Sequence, residues 1–292
     1  MTGILLIDKP QDWTSHDVVA KLRGLYRERR IGHAGTLDPL ATGLLPVFVG
    51  RATRGVEFAQ GREKTYVARL QLGLITDTQD ITGRVLERCE ADVSQEELEA
   101  VLPRFLGEIL QVPPMYSAVR VNGQRLYKLA RQGQEVERAA RRVQIVRISI
   151  LDQVDGGFDL EICCSKGTYI RTLCHDLGEA LGPGGTMAAL RRIRVGDFSL
   201  AEAHTLEEIE AEADRGRFLR PVDSLFSAYP ALWVDVQQER AIRNGQLLEM
   251  TSGEPGLCRV YSQKGEFLAF SEIVEEQGLR LLTKKSFFTP QA

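Results

Sequence analysis

The chain has 292 residues, of which 43% are hydrophobic and 26% are charged. This composition is typical of a globular protein with room for one large domain, or a large and a small one, and it excludes wholesale disorder and fibrous architectures. With 37 basic and 40 acidic side chains the net charge is −3, which argues against a protein that coats nucleic acid indiscriminately.

The cysteines and histidines show no ligand spacing. None of the five cysteines forms a C-x-x-C pair, and the four histidines are scattered, so we expect neither a disulfide framework nor a metal site. Reduced thiols indicate a cytoplasmic protein. The apolar run at residues 4–7 is too short for a signal peptide, and no run approaches the roughly 18 residues of a membrane helix.

The first half of the chain alternates short apolar runs with turns. Ser15, followed by Asp17 and an apolar pattern, predicts a capped helix that ends near Tyr26. A glycine-rich loop occupies residues 32–43, and residues 76–99 are acidic and rich in turns. Strands are predicted at residues 4–7, 44–49 and 65–72.

The second half contains a predicted hairpin and a second amphipathic helix. Asn122-Gly123 indicates a turn, and residues 124–131 have helical composition. The runs at 143–151 and 158–164 flank Asp155-Gly156-Gly157, which predicts a hairpin. Thr168 is expected to cap a helix that Gly182-Pro183 ends.

The C-terminal part differs from the rest of the chain in its sequence pattern. After a short helical piece, strand-like runs separated by turn residues predict a small β-rich unit. We therefore predict two domains, at residues 1–225 and 226–292. The runs lie at residues 257–262, 266–270 and 278–283.

The charges are unevenly distributed along the chain. Residues 104–147 hold nine basic and three acidic side chains, a net charge of +6, whereas residues 202–214 hold six acids and no base. A basic face could bind RNA phosphates, and we expect the acids of residues 76–99 and 202–214 to lie away from the RNA.

The loop at residues 32–43, GHAGTLDPLATG, places one carboxylate, Asp38, among three glycines directly before a predicted buried strand. Glycines allow a ligand to approach the backbone closely, but an Asp-Pro turn explains the same residues without any chemistry. No second carboxylate lies near in sequence, so the paired acids of a glycoside hydrolase are not visible. The chain also lacks the phosphate-loop motifs and the G-x-S-x-G elbow. The possibility that remains is a reaction that needs no cofactor.

Three further segments allow a functional or a purely structural interpretation. Arg171 lies in the first turn of the predicted helix, where the helix dipole disfavours a cation, so it either pairs with an anion such as Asp38 or is solvated. Tyr66 is either a packing aromatic or a platform for a base. The cations of residues 190–198 belong either to a phosphate-contacting edge strand or to a solvated strand face.

These four segments, in this order, resemble the tRNA pseudouridine synthase B family. Lys9-Pro10 with Thr14-Ser15 is similar to the family's N-terminal motif, and residues 113–118, PPMYSA, are similar to its mid-chain motif. Asp12 stands where glycine is usual in the family, and Arg120 stands where lysine is common. The similarity covers most of residues 3–199, and the C-terminal part more weakly resembles a PUA barrel.

The resemblance implies an α+β pseudouridine synthase fold, with a mixed, largely antiparallel central sheet flanked by helices and a PUA-like RNA-binding unit. It also implies isomerisation of uridine 55 in the T loop of tRNA, after base flipping, without a metal or nucleotide cofactor. The partner is the tRNA T stem-loop, and we expect a monomer. The alternatives are a tRNA-binding or remodelling module of the same fold without chemistry, and a phosphate-loop hydrolase, whose activity would need a nucleotide or metal.

The resemblance also assigns roles to residues. Asp38 is implied as the catalytic aspartate, with Arg171 as its partner and Tyr66 stacked on the target base. A basic insertion at about residues 113–142 would grip the RNA. The other implied substrate contacts are His33, Tyr169, Leu190, Lys9 and Lys64, and the backbone contacts are Arg131, Arg141 and Arg142.

A lone carboxylate suits this isomerisation, because no water has to be activated. Asp38 could attack C1′ or C6 as a nucleophile, or remove a ribose proton, and the sequence does not choose between these routes. An ion pair with Arg171 would favour the charged carboxylate.

Overall fold

The computed structural model describes residues 1–121, 123–275 and 278–289. In chain order its helices and strands are β1 (Gly3–Lys9), α1 (Ser15–Tyr26), β2 (Ile31–His33), β3 (Thr42–Val49), α2 (Val56–Gln60), β4 (Lys64–Leu72), β5 (Leu74–Thr76), β6 (Val85–Arg88), α3 (Gln95–Val101), β7 (Gly107–Gln111), β8 (Arg120–Val121), β9 (Gln124–Arg125), α4 (Leu126–Ala130), β10 (Arg141–Val154), β11 (Gly157–Cys164), α5 (Ile170–Leu181), β12 (Gly185–Val195), β13 (Phe198–Ser199), α6 (Leu206–Ala211), β14 (Ala231–Val234), α7 (Val236–Arg243), β15 (Leu248–Glu249), β16 (Gly256–Ser262), β17 (Phe267–Glu275) and β18 (Leu279–Ser286). Short 3-10 helices lie at Gly50–Gly55, Leu102–Phe105, Leu200–Glu202, Arg215–Phe218 and Val222–Phe226.

The main sheet is mixed and largely antiparallel. Among the described residues it has nine strands, in the order β1-β3-β12-β4-β11-β10-β7, with β2 beside β3 and β13 beside β12. Strand β12 runs parallel to β3 and antiparallel to β4, and therefore separates two strands that lie close together in the sequence. Flanked by helices, this sheet confirms the predicted fold class.

One face of the main sheet carries the larger hydrophobic core. Helices α1 and α5 bury their apolar stripes on this face, as the helical spacing of their apolar residues requires. The buried residues of α5 include Ile170, Leu173, Cys174 and Leu177. The sheet and α5 thereby form a rigid frame for the residues at the N-terminal end of α5.

A second sheet covers part of the opposite face. It has five strands among the described residues, in the order β14-β16-β17-β18-β15. Phe270 and Phe287 of this unit join a buried cluster with Phe48 of β3 and with Phe226, so the two sheets share a core. The domain boundary between residues 225 and 226 stays a prediction.

Most predicted strands are present, and the predicted hairpin is β10 and β11, closed at Asp155-Gly156 by the pairing of Val154 with Gly157. The predicted helix at 124–131 is shorter, because residues 124–125 form β9 and only Leu126–Ala130 is helical. Asn122, the first residue of the predicted turn, lies outside the described residues. Among the described residues, no helix combines the length and the apolar character needed to cross a membrane.

Both helix caps differ from the prediction. Thr14, one residue before Ser15, caps α1, because its side chain accepts the Asp17 amide while the Asp17 carboxylate accepts the Thr14 amide. Helix α5 follows Tyr169 and has no side-chain cap. Thr168 instead donates its hydroxyl proton to the carbonyl of Ser165, which stabilises the preceding turn.

Both interpretations of residues 190–198 are wrong for Arg192. Its strand β12 lies inside the sheet, between β3 and β4, so it is no edge. The Arg192 side chain is 1% exposed, so it is not solvated either. Burial of this cation was invisible in the sequence because the pairing of β12 depends on strands more than 100 residues away.

Candidate active site and RNA interface

Asp38 lies in the loop between β2 and β3, and its neighbours on both sides are fixed. Ser15 exchanges two hydrogen bonds with Leu37, accepting its amide proton at 2.9 Å and donating to its carbonyl at 3.1 Å. The Asp12 amide donates to the Pro39 carbonyl at 2.9 Å. The Asp38 side chain itself is 46% exposed, so a rigid loop presents an accessible carboxylate.

The backbone conformation of Asp12 explains why the family usually has glycine at this position. Its φ of 64° lies in the left-handed region, which a residue with a Cβ adopts at some cost in free energy. This conformation aims the Asp12 amide at the Asp38 loop.

Arg171 connects the Asp38 loop to two other segments. As the second residue of α5 it is almost completely buried, and its Nη2 lies 2.9 Å from Asp38 Oδ2. The guanidinium also donates to the carbonyl oxygens of Thr78 (3.1 Å) and Tyr116 (2.8 Å). The anion that a cation at a helix N-terminus requires is therefore present.

A second carboxylate, which sequence reasoning missed, lies on the other side of Arg171. Asp80 Oδ2 is 3.4 Å from Arg171 Nη1, and the Asp80 side chain is 9% exposed. Its other oxygen accepts hydrogen bonds from the Thr78 hydroxyl and from the amide and hydroxyl of Thr82. Asp80 belongs to the acidic segment 76–99, which we expect to lie away from the RNA, yet it lies beside the candidate active site.

The signal for Asp80 was the composition of its turn. Residues 76–83, TDTQDITG, alternate acids with threonines, a pattern typical of side chains that hydrogen-bond nearby backbone groups. It indicates a rigid turn, but it does not show that the turn lies close to Asp38, 42 positions earlier in the chain.

Tyr66 lies on β4 in the interior strands of the sheet and is 9% exposed. Burial raises the pKa of its hydroxyl, and the charge of Arg192 opposes this shift. Arg192 is the register partner of Tyr66 on β12. The Arg192 and Tyr66 side chains are thus neighbours on adjacent strands.

Lys9 and Lys64 are buried and hold backbone oxygens. Lys9 Nζ donates to the carbonyls of Pro10, Trp13 and Pro39, the last directly after Asp38, and Lys64 Nζ donates to those of Gln60 and Arg62. Burial lowers the pKa of each lysine to about 8. Their placement favours support of the Asp38 loop and of the start of β4 over direct contact with substrate.

His33, Tyr169 and Leu190 border the same region. The His33 ring meets His16 edge to face at 5.9 Å, its Nδ1 has no hydrogen-bond partner among the described residues, and burial lowers its pKa, so the neutral form is favoured. Tyr169 exchanges backbone hydrogen bonds with the Gln111 amide group. Leu190, opposite Ala68 on β4, is half-buried against the larger core.

The expected backbone contacts are exposed but not equivalent. Arg141 forms no ion pair within the described ranges, whereas Arg142 pairs with Glu108 at 3.1 Å. The guanidinium of Arg131 lies 5.6 Å from the ring centre of Tyr127, beside a concave surface to which Arg120, Arg125 and Lys128 contribute.

A second basic cluster, which sequence reasoning missed, lies at the last turn of α1 and directly after it. In the part of the chain that the structure describes, its four exposed arginines form no ion pair. The run RERR at residues 27–30 was the available signal, but it lies outside the basic stretch at 104–147. The cluster consists of Arg23, Arg27, Arg29 and Arg30.

Comparison with known proteins places this geometry in a family. Residues 23–170 match the model described as TruB family pseudouridylate synthase (N terminal domain), and residues 171–227 match the tRNA pseudouridylate synthase B C-terminal domain. The tRNA pseudouridine synthase B of Dechloromonas aromatica is 46% identical over 263 residues, which cover 89% of this chain and 88% of that protein. That of Ralstonia pickettii is 45% identical over 275 residues, or 91% and 86%.

A solved structure shows the same fold. The crystal structure of a Cbf5-Nop10-Gar1 complex contains a chain that is 26% identical, with a TM-score of 0.74 over 98% of this chain and 85% of that one. With a family model over half of the chain and relatives above 40% identity over most of it, the chain belongs to the TruB family of pseudouridylate synthases.

Proposed function

We propose that this enzyme isomerises uridine 55 in the T loop of tRNA to pseudouridine, with Asp38 as the catalytic carboxylate. Formation of pseudouridine in tRNA follows from membership of the family and from relatives named for that activity. The observation that supports the role of Asp38 is its accessible carboxylate, 2.9 Å from the buried Arg171.

The chemistry is an isomerisation. The N1–C1′ bond breaks, the uracil turns, C5 forms a bond to C1′, and the C5 proton leaves while N1 gains one. Attack of Asp38 on C1′, its attack on C6 and removal of a ribose proton all begin with an ionised carboxylate. Arg171 supports that form of Asp38, because a guanidinium at 2.9 Å stabilises the negative charge.

The target base must leave its stack to reach Asp38, which costs a few kcal/mol. Stacking on Tyr66 would return about 1–3 kcal/mol of that cost. Next to Tyr66, Leu190 and Tyr169 would form apolar walls, and His33, in its neutral form, would contact the T loop.

Contacts to the RNA backbone would come from the segment at 113–142 and from the arginine cluster at the end of α1. These surfaces are basic while the whole chain is not, which suits an enzyme that must release one tRNA and bind the next. We expect a monomer, which light scattering of the free enzyme and of its tRNA complex would test.

The test is tritium release from tRNA labelled at uridine C5, in the presence of a chelator and without added nucleotide. Wild type should release tritium, and Asp38→Asn should release none while it still binds the tRNA. If wild type releases none, the chain is a binding module and the proposed activity is wrong. Full release by Asp38→Asn would contradict only the role of Asp38.

Two further RNA substrates test the target position. A tRNA with cytidine at position 55 should release no tritium above background, and the isolated T stem-loop should still be a substrate. Unchanged release from the first RNA would refute position 55.

A further inference from the structure

Arg192 is a buried cation that the proposed chemistry does not use. It is among the largest fully buried side chains, and within the described ranges it forms no ion pair. Removing a guanidinium from water without a carboxylate partner costs free energy that its hydrogen bonds must offset. The groups that receive those hydrogen bonds therefore indicate its role.

Two hydrogen bonds of the guanidinium go to the ends of the Asp38 loop. Nε donates to the Leu44 carbonyl at 2.7 Å, and Nη2 donates to the Gly35 carbonyl at 3.1 Å. These two oxygens bracket residues 36–43, with Asp38 between them. Gly35 has a φ of 89°, and a Cβ there would lie 3.4 Å from Arg192 Nη1, so the loop backbone rests on the guanidinium.

The same residue lies in register with Tyr66. Strand β12 separates β3 from β4, and the Cα of Arg192 is paired with Gly43 on one side and with Tyr66 on the other. A Cβ on Gly43 would lie 2.4 Å from the Arg192 carbonyl oxygen, so the strand that follows the loop passes directly against Arg192. One residue thus adjoins both the strand after the Asp38 loop and the strand that carries Tyr66.

We propose that Arg192 is a positioning residue that fixes the Asp38 loop relative to Tyr66, so that the carboxylate meets a uridine stacked on the tyrosine. This inference rests on the proposed function. A planar guanidinium donates in two fixed directions at once, whereas a lysine is a single point charge. The charge alone is therefore insufficient, and Arg192→Lys is the informative variant.

The experiment compares Arg192→Lys with wild type in single-turnover tritium release and in tRNA binding. We expect a rate about 100-fold lower, because a small misplacement of reacting groups has an effect of that size, and a Kd within about twofold of wild type. Arg69→Lys is the matched control, since Arg69 makes a comparable two-point contact with Asp159 on the same sheet but is exposed. Its rate should stay within about twofold.

A second measurement separates positioning from general destabilisation. Amide hydrogen exchange in Arg192→Lys should accelerate at residues 35–44 and stay unchanged in α5. Arg192→Lys should also lower the rate by a smaller factor in a Tyr66→Phe background than in wild type. The reason is that Tyr66, one of the two groups that Arg192 positions relative to each other, is already altered. Strictly additive effects would overturn the proposal.

Arg192→Gln covers the case in which a buried lysine prevents folding, because it removes the charge and keeps one donating NH2 group. It should show the same loss of rate with unchanged tRNA binding. Wild-type rates in both variants, or a loss explained by weaker binding, would overturn the inference while the proposed function stands. Absence of tritium release from wild type would instead refute the proposed function.

Discussion

Arg171 is the residue on which the candidate site depends most. Its guanidinium lies between an accessible carboxylate, Asp38, and a buried one, Asp80, and it also holds the backbone of two further segments. Asp80 neutralises the arginine and fixes its direction, so Asp38 can stay partly open to substrate. The two acids thus differ in exposure, although both contact the same cation.

Asp80→Asn should lower single-turnover tritium release by about 10- to 100-fold and reduce the free energy of unfolding by about 1–3 kcal/mol, because Arg171 keeps Asp38 but loses its buried carboxylate partner. Binding of tRNA should change little. The measurements are the single-turnover rate, the Kd for tRNA and the melting temperature. Asp77→Asn is the control, since Asp77 lies in the same turn but pairs loosely with exposed Arg84 at 3.9 Å. Equal effects of both substitutions would contradict the assignment.

Lys9 gives a prediction about stability and pH. Burial lowers its pKa from 10.5 to about 8, so the unfolded chain binds more protons between these two values. The cost of burying the charged lysine is present in full below pH 8, and it is relieved as the pH rises to 10.5. Relative to Lys9→Met, wild type should therefore gain about 3 kcal/mol of unfolding free energy across this window.

Urea unfolding of the two proteins at several pH values measures this difference. The loss of three hydrogen bonds in Lys9→Met shifts the whole curve but does not change with pH. Lys21→Met, at an exposed ion pair with Glu210, should show no such trend. A difference between wild type and Lys9→Met that is constant with pH would refute the buried charge.

At the level of secondary structure, local patterns predicted much of the fold. Apolar runs located β1, β3 and β4, and Asp155-Gly156 located the β10–β11 hairpin, because period and turn chemistry are properties of neighbouring residues. The resemblance brought Asp38, Arg171 and Tyr66 to attention. Asp80 and Arg192 escaped notice because their positions depend on strand pairing over long separations.

The two arginines at the start of β10 should differ in their contribution to RNA binding. Arg141→Gln should reduce the slope of log K against log salt by about one, as expected for one lost phosphate contact. Arg142→Gln should change the slope less, because Arg142 is already paired with Glu108. Filter binding of tRNA across a salt series measures both slopes.

Glu108→Gln tests the reason for this difference. It removes the competing carboxylate, so it should tighten tRNA binding and make Arg142→Gln as costly as Arg141→Gln. Identical slopes for the two arginine variants in the presence of Glu108 would contradict the prediction.

At the level of the whole molecule, an aromatic cluster joins the two sheets. Phe226 stacks on Phe270 with ring centres 4.2 Å apart and meets Phe58 at 5.1 Å and Phe287 at 5.8 Å. A shared core couples the stabilities of the two sheets, since neither can lose its contacts without exposing the other.

Thermal unfolding should therefore show one transition for both sheets. Phe226→Ala should lower the unfolding free energy by about 3–5 kcal/mol, because it empties the centre of this cluster. Calorimetry and circular dichroism measure these effects. Trp233→Ala is the control, as Trp233 is 59% exposed and should matter much less. Two separated transitions in wild type would refute the coupling.

The position of β12 between β3 and β4 has a consequence for the newly made protein. A chain that translation has completed only through β11 contains Asp38 and Tyr66, but neither Arg171 nor Arg192, and the strand that belongs between β3 and β4 does not yet exist. Unfinished or prematurely terminated chains therefore contain the carboxylate without the geometry that aims it. We expect such chains not to modify RNA, because the residues through β12 are needed to complete the candidate site.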